Sequence, residues 1–179
     1  MKGIIFTEFL DIVESSFGLD ICQTMLDEAL DEGSYTSVGS YDHRDLVKLI
    51  MTLSKVTDIA PEVLQEVYGE AVFTRLLESL PIIPGDQHDT FSFIRKVEEH
   101  IHIEVKKLYP DATPPSFDFI SQTESTMLMD YKSARCMSHV CMGLIKGCAK
   151  HFNQQVSIHM EALNPSKSHV RFNIELITE

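Results

Sequence analysis

A chain of 179 residues that is 44% hydrophobic is long enough for one domain, or two subdomains sharing a core, with room for a buried cavity. Its net charge of −12 argues against a broad nucleic-acid or anionic-membrane surface, since both need basic character. Cys22, Cys136, Cys141 and Cys148 show no C-x-x-C spacing, and no stretch approaches the length of a membrane span. Lys2 is followed by only a short apolar run before Glu8 and Asp11, which is unlike a signal peptide. A cytoplasmic protein is expected.

From the N-terminus, Ile5, Phe9 with Leu10, Ile12 with Val13, and Phe17 fall at helical spacing over 4–17, and Gly18 ends the run. A second helix through Ile21, Met25 and Leu30 is expected to close at Gly33. A polar turn region follows, and Asp42 can cap a helix carrying Leu46, Leu49, Ile50 and Leu53. Pro61 stands where a first helical position belongs and opens Val63 to Leu80. Pro81, Pro84, Gly85 and Asp86 read as a loop.

Beyond Pro115 the period changes to two. Phe117 and Phe119, then Met127, Met129 and Tyr131, alternate with polar residues around a turn, which predicts a hairpin. Helical spacing returns from Ser133 to Phe152, followed by two more alternating runs, Val156 to Ala162 and Val170 to Leu176. The order is five or six helices, a central stretch, then β-β-α-β-β. Strands grouped at one end indicate an α+β fold with a four-stranded antiparallel sheet.

The central stretch, Phe91 to Tyr109, supports two incompatible readings. With a period of two, His100, His102 and Glu104 share a face and form a possible metal cluster on a strand. With a period of 3.6, Ile94, Val97, Ile101, Val105 and Leu108 form one apolar stripe with the histidines on opposite flanks. The absence of Gly and Pro and the wealth of Glu, Lys, Val and Ile favour the helix. On a helix the three-residue cluster dissolves, because residues two apart do not face each other. Periodicity leaves both histidines open as ligands; Val105 and Tyr109 on the flank of His102 favour it slightly.

The run Tyr131-Lys132-Ser133-Ala134-Arg135 is the second informative feature. With Tyr131 and Ser133 pointing one way at the end of a strand, and Arg135 in the first turn of the next helix, two hydroxyls and a guanidinium converge. Such a group suits a pair of carboxylates, and a helix N-terminus would add to it. The alternative is that Ser133 merely caps the helix and Arg135 is solvated.

His102 followed after twelve residues by Pro115, and then Tyr131-x-Ser133-x-Arg135, resembles the haem nitric oxide/oxygen binding (H-NOX) family. Further matches are Met1-Lys2-Gly3, Leu108-Tyr109-Pro110 before Pro114-Pro115, and Gly143-Leu144-Ile145-x-Gly147, so the resemblance spans essentially the whole chain. It implies a single domain with a distal helical subdomain over roughly 1–62 and a proximal subdomain over roughly 63–179, enclosing a haem. His102 would be the proximal ligand of a b-type haem. Tyr131, Ser133 and Arg135 would hold the propionates, Pro115 would press on the porphyrin, and Ile5 and Leu144 would pack on its faces or edges. His100 is not carried over and reads as surface.

Oxygen-binding relatives carry a tyrosine at position 140, whose hydroxyl donates to a gas that gains partial negative charge. Here the residue is Val140, and Phe9 near the same distal pocket also lacks a donor. The resemblance therefore implies a nitric oxide and carbon monoxide sensor that discriminates against oxygen. It implies no enzymatic activity of its own. The output would act in trans, on a sensor histidine kinase of a two-component system or on a cyclic-di-GMP enzyme (diguanylate cyclase or phosphodiesterase).

Two rival readings come from the residues themselves. One is a metal-dependent hydrolase using His100, His102 and Glu104. The other is a zinc or thiol redox site using Cys136, His139 and Cys141 with Cys148. Buried thiols serving as small apolar residues account better for Cys141 and Cys148.

Overall fold

The computed structural model describes residues 1–80, 88–110 and 112–177. The loop expected at Pro81, Pro84, Gly85 and Asp86 lies outside the described residues. Helix α1 (Gly3–Phe17) ends at Gly18, which adopts φ 89°. Helix α2 (Leu19–Ala29) stops earlier than the expected Gly33, because Leu30 turns left-handed at φ 51°. The Leu30 and Asp31 amides then donate to the Asp27 and Leu26 carbonyls at 3.1 and 3.0 Å, so the helix end is already satisfied there. Asp42 caps α3 (His43–Thr57) by accepting from the Arg44 amide at 2.9 Å. Pro61 opens α4 (Pro61–Ser79).

Among the described residues these four helices precede the central stretch, fewer than the five or six expected. The central stretch is helical throughout: α5 (Thr90–Lys96), a π-helical turn (Val97–Ile101) and α6 (His102–Leu108). A hairpin of β1 (Ser116–Gln122) and β2 (Thr126–Lys132) follows, then α7 (Ser138–His151), β3 (Gln155–Ala162) and β4 (His169–Ile177). The sheet order is β1-β2-β4-β3, and every pairing is antiparallel. Among the described residues no helix is long and apolar enough to cross a membrane.

Among the described residues two main apolar cores result, with a smaller cluster of Phe73, Phe93 and Cys148 beside them. Phe6, Phe9, Met25, Leu46, Leu49 and Leu53 of the first three helices close on Leu64, Tyr68 and Val72 of α4. The inner face of the sheet, with Met127, Met129, Tyr131, Val170, Phe172 and Ile174, packs on Phe91 and Ile94 of α5 and Cys141 and Ile145 of α7. Alternation along β2 and β4 places these side chains on one face and leaves the other to polar groups. There Asp130 accepts two bonds from Arg171, at 2.7 and 3.0 Å, and lies 3.1 Å from His169 Nε2.

Helix α4 serves both halves, and its close approach to α7 depends on paired glycines. A Cβ on Gly143 would stand 2.0 Å from the Glu66 carbonyl oxygen, and one on Gly69 would stand 2.3 Å from that of Val140. Neither backbone oxygen can swing aside as a side chain would. Gly143→Ala is therefore expected to destabilise the fold by about 1–3 kcal/mol or more. At roughly 2–4 °C per kcal/mol for a chain of this size, a thermal melt will read the loss directly.

Candidate functional site

A cavity of about 590 Å³ opens between the two cores, walled by α1, α4, the 90–108 helix, β2 and α7. That volume lies within the range of roughly 300–1,000 Å³ that holds cofactors and small ligands. Its walls are mostly apolar. Ile94, Val97, Ile101, Val105 and Leu108, the stripe read from periodicity, all line it.

His102 joins this stripe and His100 does not, which decides what periodicity left open. The His100 side chain is half-buried, with its Nδ1 enclosed and without a hydrogen-bond partner among the described residues, rather than at the surface as expected. Glu104 is exposed and pairs with Lys107 at 2.7 Å. The His-x-His-x-Glu hydrolase cluster is thus not assembled, because a helix turns its three members to different surroundings.

The His102 side chain is only 12% exposed, and its Nδ1 lies 2.9 Å from Glu98 Oε2. A carboxylate can only accept, so this contact places the proton on Nδ1 and leaves the Nε2 lone pair available. Burial, the larger influence, holds the imidazole below its ordinary pKa of 6.5 despite the opposing effect of Glu98. Neutral imidazole is the form that ligates a metal. The same Glu98 oxygen accepts from the Phe117 amide at 3.1 Å, tying the π-turn to the start of β1. The Phe117 ring also lies beside the imidazole, with centroids 5.3 Å apart.

Tyr131, Ser133 and Arg135 all line the cavity, so the three-residue run does converge. Its local geometry differs from expectation. Arg135 sits in a turn before α7 rather than in its first helical turn, and α7 begins only at Ser138. Cys136 adopts φ 54°, which breaks any helix there. Ser133 Oγ accepts from the Arg135 amide at 3.2 Å, closing that turn rather than capping α7. The anion-friendly helix terminus anticipated at Arg135 is therefore absent from that position.

Burial disfavours the charge on Arg135, lowering its pKa, while among the described residues its guanidinium donates to Thr113 Oγ1 at 3.3 Å. No carboxylate pairs with it among the described residues. Tyr131 is buried, and burial pushes its hydroxyl up to about 12, so it stays a proton donor. A partly desolvated cation beside two hydroxyls at the rim of an apolar cavity is arranged for an anionic group on an otherwise apolar ligand.

Ile5, Pro115, Val140 and Leu144 also line the cavity. Phe9 does not: it is buried behind the wall, edge-on to Tyr68 with centroids 5.4 Å apart. Tyr68 takes the wall position, and sequence reasoning missed it because a tyrosine within an apolar helix face reads as core. Its hydroxyl donates to the Ile5 carbonyl at 2.8 Å. Glu98 was also missed, although a carboxylate four residues before a candidate helical ligand is a readable signal. At the mouth of the cavity Lys2 Nζ stands 3.4 Å over the Tyr109 ring.

The thiol reading separates in space. Cys136 is exposed and precedes the helix, so it cannot share a helical face with His139, whereas Cys141 and Cys148 are buried. Burial pushes the Cys141 thiol up to about 12, which suits an inert core group.

A profile of the haem-NO-binding family matches residues 2–160. The chain belongs to this family. Crystals of the Fe(II) unliganded H-NOX protein from K. algicida show 36% identity, cover 100% of this chain and 98% of that one, and superpose with a TM-score of 0.92. The IWP-051-bound H-NOX from Shewanella woodyi, in its Fe(II)CO state, is 35% identical over 98% of this chain and 94% of that one, with a TM-score of 0.80. The S. oneidensis H-NOX in its Fe(II)NO state, at 24% identity, shares the fold with a TM-score of 0.88 over 99% of this chain and 100% of that one. A search of curated proteins returned no match. The α+β fold expected from the residues is thus that of the H-NOX proteins, whose family binds haem.

The residues of this H-NOX chain fit such a group. A flat apolar body would meet apolar walls, a metal would meet a neutral imidazole with a committed Nδ1, and carboxylate groups would meet Arg135, which has no carboxylate partner among the described residues.

Proposed function

We propose that this H-NOX chain is a gas sensor rather than an enzyme, with His102 as proximal ligand of a b-type haem. The observation that carries the reading is His102, the one imidazole lining the cavity among the described residues, with Nδ1 held by Glu98 and Nε2 left available. Tyr131, Ser133 and Arg135 hold the propionates. Pro115, Ile5 and Leu144 pack against the macrocycle. A ferrous haem, when bound, would supply the site at which a diatomic gas is taken up, and His102 would be the group through which the chain senses that binding.

As the group that would hold the haem, His102 would tie the 90–108 helix to it. Were His102 released from a bound haem, the π-turn and α6 would be free to shift against Phe117 and Pro115 on the sheet side. A distal subdomain of roughly 1–62 then moves relative to a proximal one of roughly 63–179, a two-state switch biased by ligand. The π-turn directly before His102 supports this reading, since such turns recur where helices carry function. The signal acts in trans, on a sensor histidine kinase or a cyclic-di-GMP enzyme in the cytoplasm.

Nitric oxide and carbon monoxide are the ligands, in keeping with the Fe(II)NO and Fe(II)CO states of the relatives. Oxygen is discriminated against because Val140 offers no donor, and the single hydroxyl proton of Tyr68 is given to the Ile5 carbonyl. Absorption spectra of the reduced protein test both parts. A haem band that changes with nitric oxide and with carbon monoxide but not in air is expected. A stable oxygen complex would overturn the selectivity, and a colourless protein after haem reconstitution would overturn the whole reading.

A further inference from the structure

We propose that Glu98 is a positioning residue that sets the strength of the iron–histidine bond, and with it the ease with which nitric oxide releases His102. The inference rests on His102 being the proximal ligand. Its ground is one carboxylate oxygen that touches both sides of the switch: 2.9 Å from His102 Nδ1 and 3.1 Å from the Phe117 amide of β1.

The first contact acts on the imidazole. A carboxylate that accepts the Nδ1 proton draws negative charge onto the ring and makes Nε2 a stronger donor to a metal. The effect is greatest where water is excluded, and the His102 side chain is 12% exposed against 27% for Glu98. A more basic imidazole favours the ferric over the ferrous ion and resists cleavage when a gas binds opposite.

The second contact acts on position. With its Oε2 shared between the helix and the strand, Glu98 holds the imidazole at a fixed angle against the Phe117 ring. When His102 leaves the iron, the carboxylate keeps one partner on each element, so movement of the imidazole is passed to the edge strand of the sheet. Among the described residues no lysine or arginine forms an ion pair with Glu98, so its carboxylate is left to the neutral His102 imidazole and the Phe117 amide.

Glu98→Gln separates the two effects. The amide oxygen is isosteric and can still accept from both donors, so packing is retained while the charge is lost. Resonance Raman spectra of the ferrous haem-loaded protein should show the iron–histidine stretch moving to lower frequency in the variant. The ferric preference should fall by about tenfold, the lower end of what outer hydrogen-bond partners contribute to metal affinity. At about 59 mV per tenfold for a one-electron couple, the midpoint potential rises by roughly 60 mV. On addition of nitric oxide, a larger fraction of the variant should lose its histidine bond.

Glu98→Leu, which removes the contact altogether, should move the same three readouts at least as far. If both variants keep the parent frequency and potential, Glu98 is structural only and the inference fails. If the parent itself shows no iron–histidine stretch, the assignment of His102 as ligand fails instead. The two failures are distinct.

Discussion

His102→Ala is expected to abolish the iron–histidine bond while the chain still folds. Among the described residues His102 is the one histidine lining the cavity, and Ala is a better helix former than His. The reduced variant, reconstituted with haem, should show no iron–histidine stretch, and nitric oxide should no longer change the protein beyond the haem itself. Imidazole added to solution has room to enter the vacated space and should restore a histidine-like spectrum. His100→Ala is the matched control. Its ring does not reach the cavity, and its Nδ1 makes no hydrogen bond among the described residues, so the spectrum should be unchanged. The opposite pattern, with His100→Ala losing the band, would move the ligand to the other flank of the helix.

Val140→Tyr is expected to convert the site toward oxygen binding. Val140 lines the cavity on α7, one turn before Leu144, and it has nothing to donate. A phenolic hydroxyl introduced there supplies one hydrogen bond to a gas that carries partial negative charge. Such charge-assisted bonds contribute about 1.5–3 kcal/mol. With each 1.4 kcal/mol worth about tenfold, oxygen affinity should rise by roughly 10–100-fold, with much smaller changes for carbon monoxide. Oxygen titration of the ferrous variant reads this out. Tyr68→Phe should not change the oxygen response of the parent, because that hydroxyl is already spent on the Ile5 carbonyl. If Tyr68→Phe altered it, Tyr68 would be the distal donor in place of the absent one at position 140.

Much of the site was legible because helical and strand periods carry it. The stripe Ile94, Val97, Ile101, Val105 and Leu108 was read as one face, and all five residues line the cavity. Tyr131 alternates with Met127 and Met129 on β2, so its inward direction followed from the strand period. The run through Arg135 misled in its local geometry. Nothing in Ser133-Ala134-Arg135-Cys136 announces that Cys136 turns left-handed at φ 54°, a conformation that non-glycine residues rarely adopt. Phe9 was expected near the distal pocket and Tyr68 was not singled out, for a related reason. Both are aromatics on apolar helix faces, and only the crossing of α1 and α4 places one in front of the other.

Taken alone, the sequence determined the α+β class, the helical nature of the central stretch and the motifs that place the chain in the haem-NO-binding family. These depend on local period and on residue types at fixed spacing, which a linear chain displays. Periodicity left open which histidine meets the cavity; the resemblance pointed to His102, and the tertiary structure puts that ring on the cavity and shows which carboxylate holds it. Two histidines two positions apart sit on opposite flanks of one stripe, and the stripe is symmetric until something packs against it. Packing against the sheet broke that symmetry: β1 brought the Phe117 amide to Glu98, and Glu98 holds His102 by its Nδ1. That contact joins residues 19 positions apart in the chain, where periodicity carries no information.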